Sequence, residues 1–296
     1  MQSMHLMQKE QVMGNKILVT GASGNIGSAL VNELKAAGAD FAVMTSKPGA
    51  AAGGAETRQG DFASVESLKS AFSGIDTLFL LFPLVPHKVE LARNAAAAAV
   101  AAGVSHIVRS SGAGADAASP FALPRLQGEI DDILTATGIP ATFLRPNVFM
   151  QNYANYQTQA IKDGTVYAAD GGQAQSFVDV RDIAAVAARM LVAPAAHAGK
   201  AYTLTGGEAM TGVAAAGLIS AATGRTVQHV SVPTEAAVAT MNQWGMPPFI
   251  VNAMDSLNHI VSAGYAAGVS PDVEAILGRK PRTFGAFALE QAACWR

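Results

Sequence analysis

The segment Lys16 to Gly27, KILVTGASGNIG, restricts the fold of this chain more than any other. Its apolar start, Ile17-Leu18-Val19, reads as a buried strand, and the residues from about Ile26 to Ala37 read as an amphipathic helix. Between them Gly21, Gly24 and Gly27 recur at intervals of three. Small residues there meet one physical need: the strand turns sharply, the backbone comes close to a diphosphate, and the helix packs tightly on the strand it follows. The free N–H groups at such a helix start, with the positive end of its dipole, face an anion. A plain βα turn needs fewer glycines. The segment is therefore read as a nucleotide cradle with contacts from Gly21, Ser23, Gly24, Asn25, Ile26 and Gly27.

The chain repeats this strand-then-helix pattern. Asp40 to Thr45 reads as a second strand, broken by Ser46, Lys47, Pro48 and Gly49, with a loop through Gly53 and Gly54. Glu56 to Gly60 is a third, and Ser64 is the expected cap of a helix that runs through Phe72. Asp76 to Phe82 is a fourth strand, His87 to Ala102 an alanine-rich helix, and Val104 to Arg109 a fifth strand closed by Ser110-Ser111-Gly112. A helix ending at Thr137-Gly138 leads to a sixth strand, Ile139 to Arg145, stopped by Pro146. Strand-length apolar runs alternating with longer helices are the signature of a Rossmann-type doubly wound parallel sheet in an α/β fold.

Beyond Pro146 the rhythm loosens. Gly164 to Val166, Ser176 to Val178, Ala201 to Leu204 and Val227 to Val232 read as short extended pieces. Asp179 to Leu191, Thr211 to Thr223, Glu235 to Asn242 and most of the chain from Pro247 onward read as helix. The expected organisation is an unstructured lead over 1–14 with Met13 as a candidate start, a nucleotide-binding domain over 15–150, and a smaller, mostly helical substrate lobe over 151–296 that partly returns to the sheet.

Composition removes several alternatives. A net charge of -2 gives no electrostatic case for nucleic acid or an anionic membrane. Cys294 is the only cysteine, and the six histidines lack metal-ligand spacing, so no metal is expected. No apolar stretch is long enough to cross a bilayer. The expectation is a cytoplasmic protein with a small-molecule substrate and no nucleic acid or membrane partner, with a homodimer left open.

The second strand bears on the choice of nucleotide. Proteins holding NAD often place a carboxylate at its end, against the ribose hydroxyls. Here Thr45-Ser46-Lys47 offers two hydroxyls and a cation, which suits the extra phosphate of NADP. Asp61 is placed to accept from an adenine amino group or to cap the next turn, with Phe62 beside the ring. Phe82 and Pro83 run along the ribose and diphosphate. Ser110 and Ser111 end the fifth strand at the carboxyl edge, where ligands bind in such sheets.

The GASGNIG turn, Gly60-Asp61-Phe62, Ser110-Ser111 and the segment Phe143 to Asn152 (FLRPNVFMQN) resemble the NmrA-like, atypical short-chain dehydrogenase/reductase family. Phe177 to Asp182 and Gly278 to Phe284 add to the resemblance, which covers nearly the whole chain from Asn15. It implies a family of NADPH-dependent quinone oxidoreductases, triphenylmethane reductases and redox-sensing regulators. It also implies that Pro146 and Asn147 pass beside the nicotinamide, where the substrate lobe begins.

One departure stands out. Classical members carry a Tyr that protonates a carbonyl and, four residues later, a Lys that lowers its pKa. Those positions are Leu123 and Gln127 here, and neither side chain can do that work. Arg125 is close but does not release a proton at neutral pH. The catalytic residues are therefore unknown from sequence, with Ser111, Asn147 and His259 as the remaining candidates. Phe149, Trp244 and Phe249 are expected to line an apolar pocket. Asp179 and Asp182 look like an acid pair but suit the start of a helix. The expected function is hydride transfer from NADPH to an apolar, electron-poor acceptor such as a quinone; the alternative is a non-catalytic NADP-binding redox sensor acting through a protein partner. Replacing Lys47→Glu is expected to weaken NADPH binding far more than NADH binding; equal losses in a fluorescence titration would refute the NADP assignment.

Overall fold

The computed structural model describes residues 15–47 and 54–296. The expectations for the lead, Met13, Pro48, Gly49 and Gly53 lie outside the described residues. The strands are β1 (Ile17–Val19), β2 (Phe41–Thr45), β3 (Glu56–Gln59), β4 (Thr77–Leu80), β5 (His106–Ser110), β6 (Ala141–Pro146), β7 (Thr165–Ala168), β8 (Ala201–Leu204) and β9 (Gln228–Ser231). Seven of them form one sheet in the order β3-β2-β1-β4-β5-β6-β8, while β7 and β9 pair in parallel as a separate ribbon. Every pairing from β3 across to β6 is parallel. The order reverses at β1, which has β2 on one side and β4 on the other, and the carboxyl ends of the strands on either side bound the crevice where such sheets take their ligands.

Helices α1 (Asn25–Ala36), α2 (Val65–Phe72), α3 (Lys88–Ala102) and α4 (Ala122–Thr135) connect these strands. Both β4 and β5 are buried along their whole length, as strands covered on two faces must be. Leu18, Leu78, Leu80 and Phe82 pack with Leu68 and Phe72 of α2, Ala92, Ala95 and Ala99 of α3, and Ile130 and Leu134 of α4. The alanine face of α3 lets that helix lie close to its neighbours. Ser64 caps α2, its hydroxyl accepting from Ser67 N.

Strand ends differ from the sequence reading where side chains compete for the backbone. β4 stops at Leu80 because Leu81 N–H donates to Thr20 Oγ1 at 2.9 Å instead of continuing the ladder. Ser176 to Val178 forms no strand: Ser176 N–H donates to Ala266 O at 2.9 Å, and only isolated bridges, Phe149 to Val178 and Gln175 to Met210, remain.

The chain divides into two compact units. The first holds the residues up to Ser111 with 126–145 and 184–202; the second holds 112–125, 146–183 and 203–296. The second contains α5 (Gln151–Asn155), α6 (Thr158–Lys162), α8 (Gly212–Thr223), α9 (Thr234–Gln243), α10 (Pro248–Ser262), α11 (Asp272–Leu277) and α12 (Phe284–Trp295), and α7 (Val180–Val192) starts in it. Its core joins Met150, Tyr153, Phe177, Ile219, Phe284, Phe287 and Trp295, with the Tyr153 and Phe284 rings edge-on at 5.1 Å. Asp179 caps α7 by accepting from Arg181 N–H at 2.9 Å. The Asp182 carboxylate accepts from Arg282 N–H at 2.7 Å and from Arg279 Nη2 at 2.8 Å. Both acids are structural fasteners. Among the described residues no helix is long and apolar enough to cross a membrane.

The tightest backbone approach in the first turn is at Gly27. A Cβ there would stand 2.1 Å from Gly21 O and 2.7 Å from Ala22 Cα. Gly27→Ala should therefore lose about 1–3 kcal/mol of stability in urea denaturation, the range for overpacking a tight site, with the m-value unchanged; wild-type stability would show that the turn relaxes freely.

Candidate active site

The cradle is built as its sequence demands. Gly21 takes the left-handed conformation at φ 68°, which turns β1 back on itself. Gly24 N–H donates to Gly21 O at 3.0 Å and closes the turn. Gly24 is the cap residue of α1, in extended conformation, and no side chain accepts from the opening N–H groups. The first turn of α1 carries no acidic residue, so nothing there opposes an anion. A Cβ on Gly24 would meet only Gly21 O, at 3.4 Å, so the space over the turn is open. Ser23 and Asn25 are exposed beside it, whereas Ile26 is 4% exposed, leaving only its backbone toward the turn. These residues fit a diphosphate: open space, unpaired donors and a favourable dipole.

The other residues of the first unit expected around the nucleotide lie along the same carboxyl edge. At the end of β2, Thr45 Oγ1 accepts from Lys47 N–H at 3.1 Å, which tightens the turn and leaves Ser46 and Lys47 exposed. Asp61 Oδ1 accepts from Ala63 N–H at 2.9 Å, so the turn-capping role is realised and Oδ2 remains for a ligand. Phe62 and Phe82 pack against each other with ring centroids 5.0 Å apart, and Pro83 is exposed next to them. Ser110 is buried at the tip of β5, and Pro146 is buried at the end of β6.

Next to these tips lies a buried charge network that the sequence reading missed. Arg109, on β5 opposite Leu80 of β4, is fully buried. Its guanidinium is ion-paired to Asp131 of α4 and donates to Ser111 Oγ at 2.8 Å, to Gln127 O at 3.0 Å and to Gln127 Oε1 at 2.5 Å. Ser111 Oγ donates to Asp131 Oδ2 at 3.0 Å, and Arg145 Nη2 donates to the same oxygen at 3.2 Å. Burial, and then the Arg145 charge, pull the Arg109 guanidinium down to about 9. It stays charged at neutral pH, balanced by the Asp131 carboxylate.

The chemistry of the candidates follows from this wiring. The hydroxyl proton of Ser111 is committed to Asp131, so Ser111 has none to give a substrate. Gln127 holds Arg109 in place, and Leu123 offers only its N–H, which donates to Ser256 Oγ at 3.1 Å. The sequence does carry a signal for Arg109 and Asp131: a cation inside the apolar strand HIVRS, and an acid four residues after Gln127 on one helix face.

In the second unit, Asn147 Nδ2 donates to Ser176 Oγ at 2.7 Å and to Ala266 O at 2.8 Å. Both amide protons are committed, and Asn147 retains only its acceptor oxygen. His259 is exposed on α10, 3.5 Å from Asp255, and lines a shallow groove of about 380 Å³ with Thr234, Glu235 and Val238 of α9. Phe149 and Phe249 are half-buried, and Trp244 is 75% exposed, so it does not form a closed apolar wall. Phe249 and His259 are ten residues apart on α10, about 15 Å along its axis at the usual helical rise, and do not converge on one spot.

The chain belongs to the NmrA-like family, whose model matches residues 13–288. It is 38% identical over 284 residues to an NAD(P)H azoreductase of Xenophilus azovorans, with 94% of this chain and 99% of that protein covered. Among solved structures, an NADPH-dependent quinone oxidoreductase from Escherichia coli in complex with NADPH superposes with a TM-score of 0.84 at 27% identity, covering 93% of this chain and 99% of that one. The triphenylmethane reductase of Citrobacter sp. in complex with NADP(H) gives 0.81 at 26% identity, covering 94% and 99%.

The Arg109–Asp131 pair generates a stability prediction. Asp131→Ala leaves a buried cation without its partner, a change that typically costs about 3–5 kcal/mol. Arg109→Met added to it should recover most of that loss in urea denaturation; a double variant no better than the single would mean that Asp131 acts through packing alone.

Proposed function

We propose that this protein is an NADPH-dependent oxidoreductase that delivers a hydride to an apolar, electron-poor, conjugated acceptor, a quinone first of all. When bound, NADPH supplies the hydride and its two electrons. The chain's own residues do the rest. The α1 N-terminus and the Gly21 to Gly27 turn hold the diphosphate. Ser46 and Lys47, with no carboxylate beside them at the end of β2, suit the phosphate that separates NADPH from NADH. Asn147, left with an acceptor alone, suits the N–H of a nicotinamide carboxamide better than a substrate carbonyl.

The observation that carries the choice of acceptor is the closed network at the tip of β5. Ser111, Gln127 and Asp131 are bonded to one another or to Arg109, so none of them is a free acid for a carbonyl that needs full protonation as it is reduced. An acceptor already poor in electrons takes the hydride without an acid among those three side chains, and a single weak acid elsewhere suffices to protonate the product. The azo bond is a second reading, favoured by the full-length relative named as an azoreductase.

The test is NADPH consumption over a panel of quinones, azo dyes and triarylmethyl dyes. Turnover is expected to be fastest with a quinone. Gly24→Val serves as the control: there is room for its Cβ in the folded chain, but its side chain occupies the phosphate position, so turnover should fall with NADPH affinity. Tight NADPH binding without oxidation by any acceptor would refute the enzyme reading in favour of a cofactor sensor.

A further inference from the structure

Lys88 is the one buried lysine among the described residues, 5% exposed, and its ammonium donates no hydrogen bond to any of them. It opens α3, the helix that follows β4 and Phe82-Pro83, and its N–H is tied to Val85 O at 3.1 Å. Side chains on a helix lean toward the N-terminus. A long chain on the first residue of α3 therefore reaches back over the carboxyl edge of the sheet. Its electrostatic neighbour there is Arg109, whose place opposite Leu80 sets it between the tips of β4 and β5.

This is a poor place for a cation on three counts. It is buried, it sits at the positive end of a helix dipole, and its charged neighbour is another cation. Among the described residues no carboxylate reaches it. Asp131 on α4 already serves Arg109 and Arg145, and His87 and Glu90, its neighbours in sequence, are exposed. An apolar residue would be the stabilising choice for such a position. Burial first, then Arg109, push the ammonium down to about 8, the range in which a lysine gives and regains a proton near neutral pH.

The location matches the need. In a doubly wound sheet each half takes one nucleotide. With the glycine turn on the β1 to β3 half, the nucleotide that carries the nicotinamide would fall to the β4 to β6 half.

We propose that Lys88 is the acid that protonates the acceptor as it is reduced, a role that rests on the hydride-transfer reading above. The acceptor gains a hydride, with its two electrons, from the nicotinamide, which leaves oxidised. The acceptor oxygen that takes up the resulting negative charge forms an O–H bond as an Nζ–H bond of Lys88 breaks. The neutral amine then regains a proton from water.

The test compares wild type with Lys88→Met and Lys88→Arg. With a quinone, kcat of the wild type should fall as pH rises through about 8, because the acid must be protonated. Both variants should lose at least tenfold in kcat and lose that pH limb, with NADPH affinity within twofold of wild type. A cationic triarylmethyl dye takes a hydride without a proton, so the quinone-to-dye ratio of kcat/KM should fall at least tenfold. Independently of turnover, ¹³C-lysine NMR should show one lysine titrating near 8 that is absent from Lys88→Met. Full quinone activity in Lys88→Arg, or a loss of NADPH affinity with kcat intact, would mark Lys88 as an anion anchor and overturn the proposal. If none of the acceptors lets the wild type oxidise NADPH, the hydride-transfer reading fails and the proposal with it; turnover that Lys88→Met leaves intact overturns the proposal alone.

Discussion

The approach of α1 to its own turn, where Gly27 lies against the Gly21 carbonyl, is the constraint on which the rest of the first unit depends. It sets where the helix begins, and so where its unpaired N–H groups point. A side chain at Gly27 would push the helix start away from the β1 tip and turn those donors off the crevice. The cap residue, Gly24, brings no side chain to the opening N–H groups, and the helix is correspondingly open at its positive end. In an ordinary helix that opening would be a small loss of stability. Here it suits an anion, because the turn falls where the strand order reverses.

A second constraint follows from the sheet. Strands covered on both faces are expected to be apolar, and Arg109 interrupts that rule near the tip of β5. A buried cation has to be answered within the fold, and Asp131, Gln127 and Ser111 are drawn into that answer. Gln127, one of the two positions that the family resemblance marks for proton chemistry, accepts from Arg109 through both its carbonyl and its side chain. Asp131 is shared by Arg109 and Arg145, so a single carboxylate faces two guanidinium groups before Lys88 is counted.

The parts of this architecture that repeat were legible in the sequence. Apolar runs and small-residue turns repeat along the chain, and β1, β2, β8, α1 and α3 fall within a residue or two of where periodicity puts them. Ser64 and Asp179 are caps because a hydroxyl or carboxylate before an amphipathic run has few better uses. The features that were not legible depend on partners distant in sequence. Nothing next to Leu81 announces that Thr20 will take its N–H, 61 residues away. Arg109 and Asp131 stand 22 residues apart, and their pairing shows only in the folded chain. Trp244 reads as an apolar lid but projects from the end of α9, because burial is decided by what packs above a residue and not by its own hydropathy.

Lys88 shows why such features are worth tracing in physical terms. A lysine in the first turn of a helix is unremarkable in a sequence, since such side chains normally reach water. Folded, it is a largely buried cation without a counter-ion among the described residues, at the unfavourable end of a helix dipole. Proteins tend to lose arrangements of that kind when they do nothing, because most apolar substitutions would relieve the strain. Reduction of a conjugated acceptor creates a negative charge where none existed. Beside the tips of β4 to β6, that charge would meet Lys88, Arg109 and Arg145 with only Asp131 to balance them. An excess of buried positive charge destabilises the resting protein and favours the reduced product, and the same imbalance accounts for both.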